Sequence, residues 1–316
     1  MGDPTPVEGS ALEAGPTPAG RTSPQPPSPP SGNGGAVRPG EASGSELPWP
    51  AWTAAVALIG GLVLAALGGL VVDIPALALG VSISASHTPP GLVIADTFVQ
   101  DVAFVLAAVY CARLGGRVVR AWQLGLRPPA IGWRSAAKSV FLLLLAFVVF
   151  SALWTAAFHP SKEKLLEQLG SNEGTGLLVL SAGLTCVVAP ICEEILFRGF
   201  IFTALRSWRG TLPAALITGV LFGGVHAGSA PALDLVPLAA LGVGLCLLYR
   251  RTGSLYPCFA AHALNNSVAF AALENWNVGE AALLIASALA GVWAVVQLAK
   301  RAGLITQEPA LVGSGA

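Results

Sequence analysis

The feature that most constrains this chain is a series of apolar blocks, each near the length needed to cross a bilayer. Eight of them run at about 50–72, 91–113, 137–158, 175–200, 211–228, 232–250, 254–273 and 280–299. About 20 residues of helix span the ~30 Å hydrocarbon core. Within that core every backbone N–H and C=O must be paired inside the chain, so such blocks are helices. A membrane-spanning barrel would instead show short alternating strands, and the sequence has no such alternation. Of 316 residues, 54% are hydrophobic and only 11% charged. That is too little charge to cover a soluble domain of this length. The expected fold is all-α: a polytopic transmembrane helical bundle of about eight spans, integral to its membrane.

Residues 1–48 are of another kind. They hold eleven of the chain's 24 prolines and nine of its 37 glycines. A segment so poor in large apolar side chains cannot offset its conformational entropy by burial, and a disordered tail is expected. It has neither the basic start nor the apolar core of a signal peptide. The helical domain then covers 49–302, and 303–316 form a short C-terminal tail. The formal net charge is zero, which gives no support for a nucleic-acid partner.

The distribution of charge tests the span count, because short cytoplasmic loops retain Lys and Arg. With eight spans, all but Lys162 and Lys164 of the 17 Lys and Arg fall on one side. Both termini are therefore expected in the cytoplasm. The five cysteines lie in apolar blocks without a C-x-x-C pair and read as buried thiols.

Ionisable and strongly polar residues inside spans are costly and point by default to function. The second block carries Asp96, Gln100 and Asp101; the fourth carries Glu193, Glu194 and Arg198; the fifth Phe222 and His226; the seventh His262 and Asn266. Glu194 and Arg198 are four apart and can pair on one helix face. Glu193 is turned from Glu194 by about 100°, so one carboxylate is neutralised and the other is left to act as a general base. Phe222 shares a face with His226, and His262 with Asn266. The fourth and fifth blocks meet near Arg209, Gly210 and Pro213, a turn signal. Glu193 and His226 each lie ~24 Å along a helix from that turn, at 1.5 Å per residue. A hairpin therefore sets them level. Gly219, Gly223, Gly224 and Gly228 form two small-xxx-small pairs that would let helices approach closely.

At these residues the chain resembles the CAAX protease and bacteriocin-processing family, also called the Abi family, which includes type II CAAX prenyl endopeptidases. The marks are E-E-x-x-x-R (Glu193, Glu194, Arg198), F-x-x-x-H (Phe222, His226) and H-x-x-x-N (His262, Asn266), in that order. Gly199 after Arg198 and the upstream run Leu124-Gly125-Leu126-Arg127-Pro128 also fit. The resemblance spans about residues 120–270, and places a peptidase core at about 120–273. It implies an intramembrane endopeptidase acting on a membrane protein or peptide, with CAAX-type processing of a lipidated C-terminus as one such reaction. It further implies Glu193 as the base that activates water, His226 as a positioner of that water, and His262 and Asn266 as stabilisers of the oxyanion. Glu194, Arg198 and Phe222 would support them.

Metal use is a separate question, because the family is often labelled metallopeptidase. A zinc set, if there were one, would be Glu193, His226 and His262. The H-E-x-x-H spacing of zincins is absent, and no histidine is followed by Glu. A site with no metal cofactor is the preferred expectation. The residues also leave two other readings open. One is a non-catalytic scaffold or bacteriocin self-immunity protein that keeps the same polar groups as structure. The other is a transporter with Asp96, Asp101 and Glu193 as a proton relay. High Ala, Gly and Pro content points to a bacterial source and hence to the inner, plasma membrane.

Overall fold

Each apolar block becomes one helix. A computed structural model describes residues 1–2, 49–84, 88–159 and 174–305. Among them are α1 (Trp52–Ala78), α2 (Pro90–Ala112), α3 (Trp133–Phe158), α4 (Thr175–Arg209), α5 (Thr211–Gly224), α6 (Leu235–Thr252), α7 (Tyr256–Leu273) and α8 (Val278–Arg301), and no β-strand. The helices belong to a unit covering 42–316; residues 1–41 form a second unit, of which only the first two are described. Most of the expected N-terminal tail (3–48), His87, Lys162, Lys164 and the C-terminal tail from 306 onward lie outside the described residues.

Six helices among the described residues are long and apolar enough to cross a membrane: α1, α2, α3, α4, α6 and α8. Helix α5 has 14 residues, a rise of about 21 Å, short of the ~30 Å hydrocarbon core. Helix α7 has 18 residues but carries His262, Asn265 and Asn266. These two helices, the least able to face lipid, are the two that bring histidines to the site.

The lipid-facing surface is evident in α1 and α3. Leu67, Leu70 and Val71 of α1, and Phe141, Leu142 and Leu153 of α3, are exposed in numbers no soluble surface carries. This is an integral membrane protein. Its interior centres on α4, where Leu196, Phe197, Phe200, Ile201 and Phe202 are fully buried with Phe222 of α5 and Phe259 of α7. All five cysteines are unpaired; four are buried and Cys192 is half-buried. Local signals close the elements. Asn277 caps α8 by accepting from the Gly279 and Glu280 amides, and Glu280 accepts in return from the Asn277 amide.

Two close approaches set the geometry around the site. A Cβ on Gly219 would lie 2.7 Å from the Ala239 carbonyl, and one on Gly223 would lie 2.5 Å from that of Leu235. The α5–α6 hairpin therefore packs backbone against backbone through Gly219 and Gly223. The second expected pair does not form: Gly224 faces open space, and Gly228 sits in the following turn at φ +106°. At the other end of α4, a Cβ on Gly199 would lie 2.9 Å from the Leu124 carbonyl. This is where the upstream segment docks. Arg127 Nε then donates to the Gly253 carbonyl at 2.9 Å, and the Leu255 amide donates to the Gly125 carbonyl at 2.8 Å, tying that segment to the α6–α7 connection.

Candidate active site

The two carboxylates of α4 part as their angular offset requires. Glu194 is wholly buried, and its Oε1 accepts from Arg198 Nη1 at 2.7 Å. Arg198, also wholly buried, donates through Nη2 to the Gly242 carbonyl at 3.1 Å. Its guanidinium lies over the Phe222 ring, 4.4 Å from the centroid. The same Glu194 oxygen accepts from His262 Nδ1 at 2.9 Å. Glu193 points elsewhere. It faces a cavity of about 300 Å³ whose lining also includes His226, His262 and Asn266. Its Oε2 has no hydrogen-bond partner and stands 3.8 Å from His262 Nε2. The four residues expected to act together thus share one cavity, and the supporting Glu194 and Arg198 lie behind it.

Helix α4 reaches this arrangement by departing from regular α geometry. It widens into π-turns at Leu184–Val188 and Ile195–Phe202, on either side of Ala189–Glu194. In a π-turn the Thr185 carbonyl would accept from the amide of residue 190, which is proline and has no N–H. Asn266 Nδ2 supplies the missing donor at 2.9 Å. Pro190 therefore creates the acceptor that orients the Asn266 amide, and Asn265 Nδ2 donates to Asn266 Oδ1 at 3.3 Å.

His226 is held by the end of a helix rather than within one. Helix α5 stops at Gly224, so the fifth block, expected to run helical to 228, ends earlier. The last carbonyls of a helix lack backbone donors. His226 Nδ1 meets that of Phe222 at 2.7 Å. A carbonyl only accepts, so Nδ1 carries the proton and the neutral ring keeps its Nε2 lone pair. The short helix is thus what lets a polar turn reach the cavity, and irregular backbone at such depth is tolerated where it lines one. Phe222 is fully buried and forms the floor, with its ring 5.1 Å from that of His226 and 5.6 Å from that of His262.

Other residues line the cavity that motif reading does not single out for a role: Thr97 and Gln100 of α2, Thr185 of α4, Ser229 and Asn265. Gln100 is visible in the sequence as a polar group in a span; Thr185 carries no signal, because it is its carbonyl that matters. Asp96 faces α1, its Oδ1 standing 3.6 Å from where a Cβ on Gly69 would be. Asp101 is wholly buried, and α2 packs on Ala189–Glu194. Among the described residues no three His, Cys, Asp or Glu side chains converge to hold a metal ion. Glu193, His226 and His262 do not form such a set in this geometry.

Comparison with known proteins bears on the same segment. Residues 175–268 match the type II CAAX prenyl endopeptidase Rce1-like family. The match runs from the start of α4 through Asn266, so the resemblance seen in the three motifs holds where the site is built. A curated relative named "Putative membrane peptidase YdiL", from Bacillus subtilis (strain 168), is 38% identical over 92 residues. Those residues are 29% of this chain and 36% of the relative, so the chain spans about a third of that relative's length. No solved structure matches the chain.

Proposed function

We propose that this protein is an intramembrane endopeptidase that hydrolyses a peptide bond with water activated by Glu193. The observation that carries the reading is the single cavity shared by Glu193, His226, His262 and Asn266. Glu193 is the carboxylate of its pair that Arg198 does not engage, and it takes a proton from water. His226, with Nδ1 engaged at Phe222, offers Nε2 as the acceptor that aligns that water. The water oxygen bonds to the scissile carbonyl carbon, and the carbonyl oxygen becomes an oxyanion. His262 and Asn266 donate to it. Asn266 has a second amide hydrogen beyond the one given to Thr185. Breakage of the C–N bond then returns the Glu193 proton to the leaving amine. No metal takes part in this scheme.

The match to prenyl endopeptidases makes the C-terminal segment of a lipidated, CAAX-type substrate the first class to test. The Ala-, Gly- and Pro-rich composition supports a bacterial plasma membrane as the setting, and the positive-charge bias supports both termini in the cytoplasm. A second reading, a non-catalytic scaffold or bacteriocin self-immunity protein, draws on the Glu194–Arg198–His262 network, which joins helices whether or not chemistry follows.

The deciding experiment works without a defined substrate. Wild type and Glu193→Gln are expressed at matched levels, and new peptide termini in the membrane fraction are compared by mass spectrometry, with and without a zinc chelator. Termini made only by wild type, and made equally with chelator, are the expected result. Identical termini in both would reject the peptidase and favour the scaffold. Loss of the termini on chelation would reject the metal-free scheme.

A further inference from the structure

Asp101 is the buried acid that the scheme above leaves unused. It is wholly buried on α2, and neither of its carboxyl oxygens has a hydrogen-bond partner. Glu193 Oε2 is likewise without one. Thr97, one turn before Asp101 on the same face of α2, lines the cavity together with Glu193, and α2 packs on Ala189–Glu194, so the two acids meet at the α2–α4 packing. The other charged groups nearby are committed or turned away. Arg198 spends Nη1 on Glu194 and Nη2 on Gly242. His262 gives Nδ1 to Glu194. Asp96 of α2 and Asp73 of α1 act on one another. Cys186, also on α4, is buried.

Two carboxylates packed together in one dry interface do not both stay ionised unless a cation serves each. Glu193 opens on the cavity and has His262 Nε2 at 3.8 Å. Asp101 is not in the cavity lining and has no cation of its own. The proton therefore belongs on Asp101. A protonated carboxyl is a donor, and Glu193 Oε2 is an acceptor lacking one. A single O–H···O⁻ contact satisfies both.

We propose that Asp101 is a positioning residue: held as the neutral acid, it donates to Glu193 Oε2 and leaves the other Glu193 oxygen turned to the cavity. The proton stays on Asp101 throughout, while the proton taken from water passes through Glu193 to the amine. This inference rests on the peptidase reading for its consequence, but its first test does not. Purified wild type, Asp101→Asn and Glu193→Gln are placed in lipid nanodiscs at neutral pH, and their infrared spectra are compared. The expected result is a carboxylic-acid C=O band that is absent from Asp101→Asn and displaced in Glu193→Gln. A spectrum in which no such band is lost from Asp101→Asn overturns the proposal, whatever the protein cleaves.

The second test uses the Glu193-dependent termini as its readout. Asp101→Leu, of similar size but with no donor, is expected to fall by roughly 100-fold in their rate of appearance. Asp101→Asn, which keeps a donor, restores most of that rate. Asp101→Asn should unfold near the wild-type temperature, and Asp101→Leu, which leaves Glu193 Oε2 without a donor, somewhat below it. Wild-type cleavage by Asp101→Leu overturns the positioning role, and an Asn variant as impaired as the Leu variant overturns the neutral acid. If wild type makes no Glu193-dependent termini, the peptidase reading has failed, and the infrared comparison still decides the state of Asp101.

Discussion

Glu194 and His262, 68 residues apart in sequence, are joined by a 2.9 Å hydrogen bond to the same carboxylate oxygen that holds Arg198. That oxygen ties the centre of α4 to α7. It also decides which nitrogen of His262 faces the cavity. With Nδ1–H given to Glu194, Nε2 points toward Glu193 at 3.8 Å. Nε2 can donate to an oxyanion only when the ring carries both protons, and Glu194 supplies the counter-charge that form needs.

Glu194→Gln isolates that counter-charge. The amide oxygen still accepts from Arg198 and His262, but Arg198 loses its buried counter-charge, so the unfolding temperature should fall and cleavage is compared well below it. Cleavage should fall by about 100- to 1,000-fold, the usual cost of losing one oxyanion donor. The rate at which Glu193-dependent termini appear measures it. An unchanged rate would put His262 outside the chemistry.

Arg198→Ala tests the other side of the same oxygen. It leaves Glu194 charged and wholly buried with its cation removed, which costs about 3–5 kcal/mol. The expected outcome is a much lower unfolding temperature in detergent, with loss of cleavage following from loss of fold. Replacing both, as Glu194→Gln with Arg198→Met, should recover most of the stability and none of the activity.

How much of this was legible in the sequence follows from what each feature depends on. All eight helices were readable because lipid makes the apolar pattern nearly sufficient. The pairing of Glu194 with Arg198, and the separation of Glu193 from it, were readable because both follow from helical angles within one segment. His226 and Glu193 were placed level by counting residues from Gly210, and the shared cavity agrees. What counting missed is where α5 stops: the apolar run continues past Gly224, and it is His226 bonding the Phe222 carbonyl that ends it differently. The π-turns of α4 were equally invisible, because the helices packed around them, α7 and α8 on Leu184–Val188 and α1, α2 and α5 on Ile195–Phe202, lie elsewhere in the sequence. Asp101 stood out as a polar residue in a span, but its relation to Glu193 is a packing relation between α2 and α4 and has no spacing to read.

The α5–α6 approach predicts a contrast between adjacent glycines. Gly223→Ala adds a Cβ 2.5 Å from the Leu235 carbonyl, and backbone cannot step aside as a flexible side chain does. Overpacking of this kind costs about 1–3 kcal/mol and shifts the turn that carries His226. Gly224→Ala meets nothing within 4 Å and should match wild type in both unfolding temperature and cleavage. Equal behaviour of the two variants would mean that the hairpin spacing is not set by these glycines.

Pro190→Ala separates stability from function most directly. A proline inside a helix forfeits a backbone hydrogen bond and strains the preceding turn, at a cost of about 3 kcal/mol. Here the forfeited bond leaves the Thr185 carbonyl for Asn266 Nδ2 at 2.9 Å. Alanine returns an N–H to position 190, and the backbone then competes with the side chain for that carbonyl. The protein should become as stable as wild type or more so. Asn266 should lose the contact that aims its second hydrogen at the oxyanion, and misplacement of a group by about 1 Å costs up to about 100-fold in rate. Unfolding temperature and rate of terminus formation, measured on the same preparation, should therefore move in opposite directions. A variant that gains stability and keeps its rate would show that the Asn266 amide is oriented by something other than the π-turn.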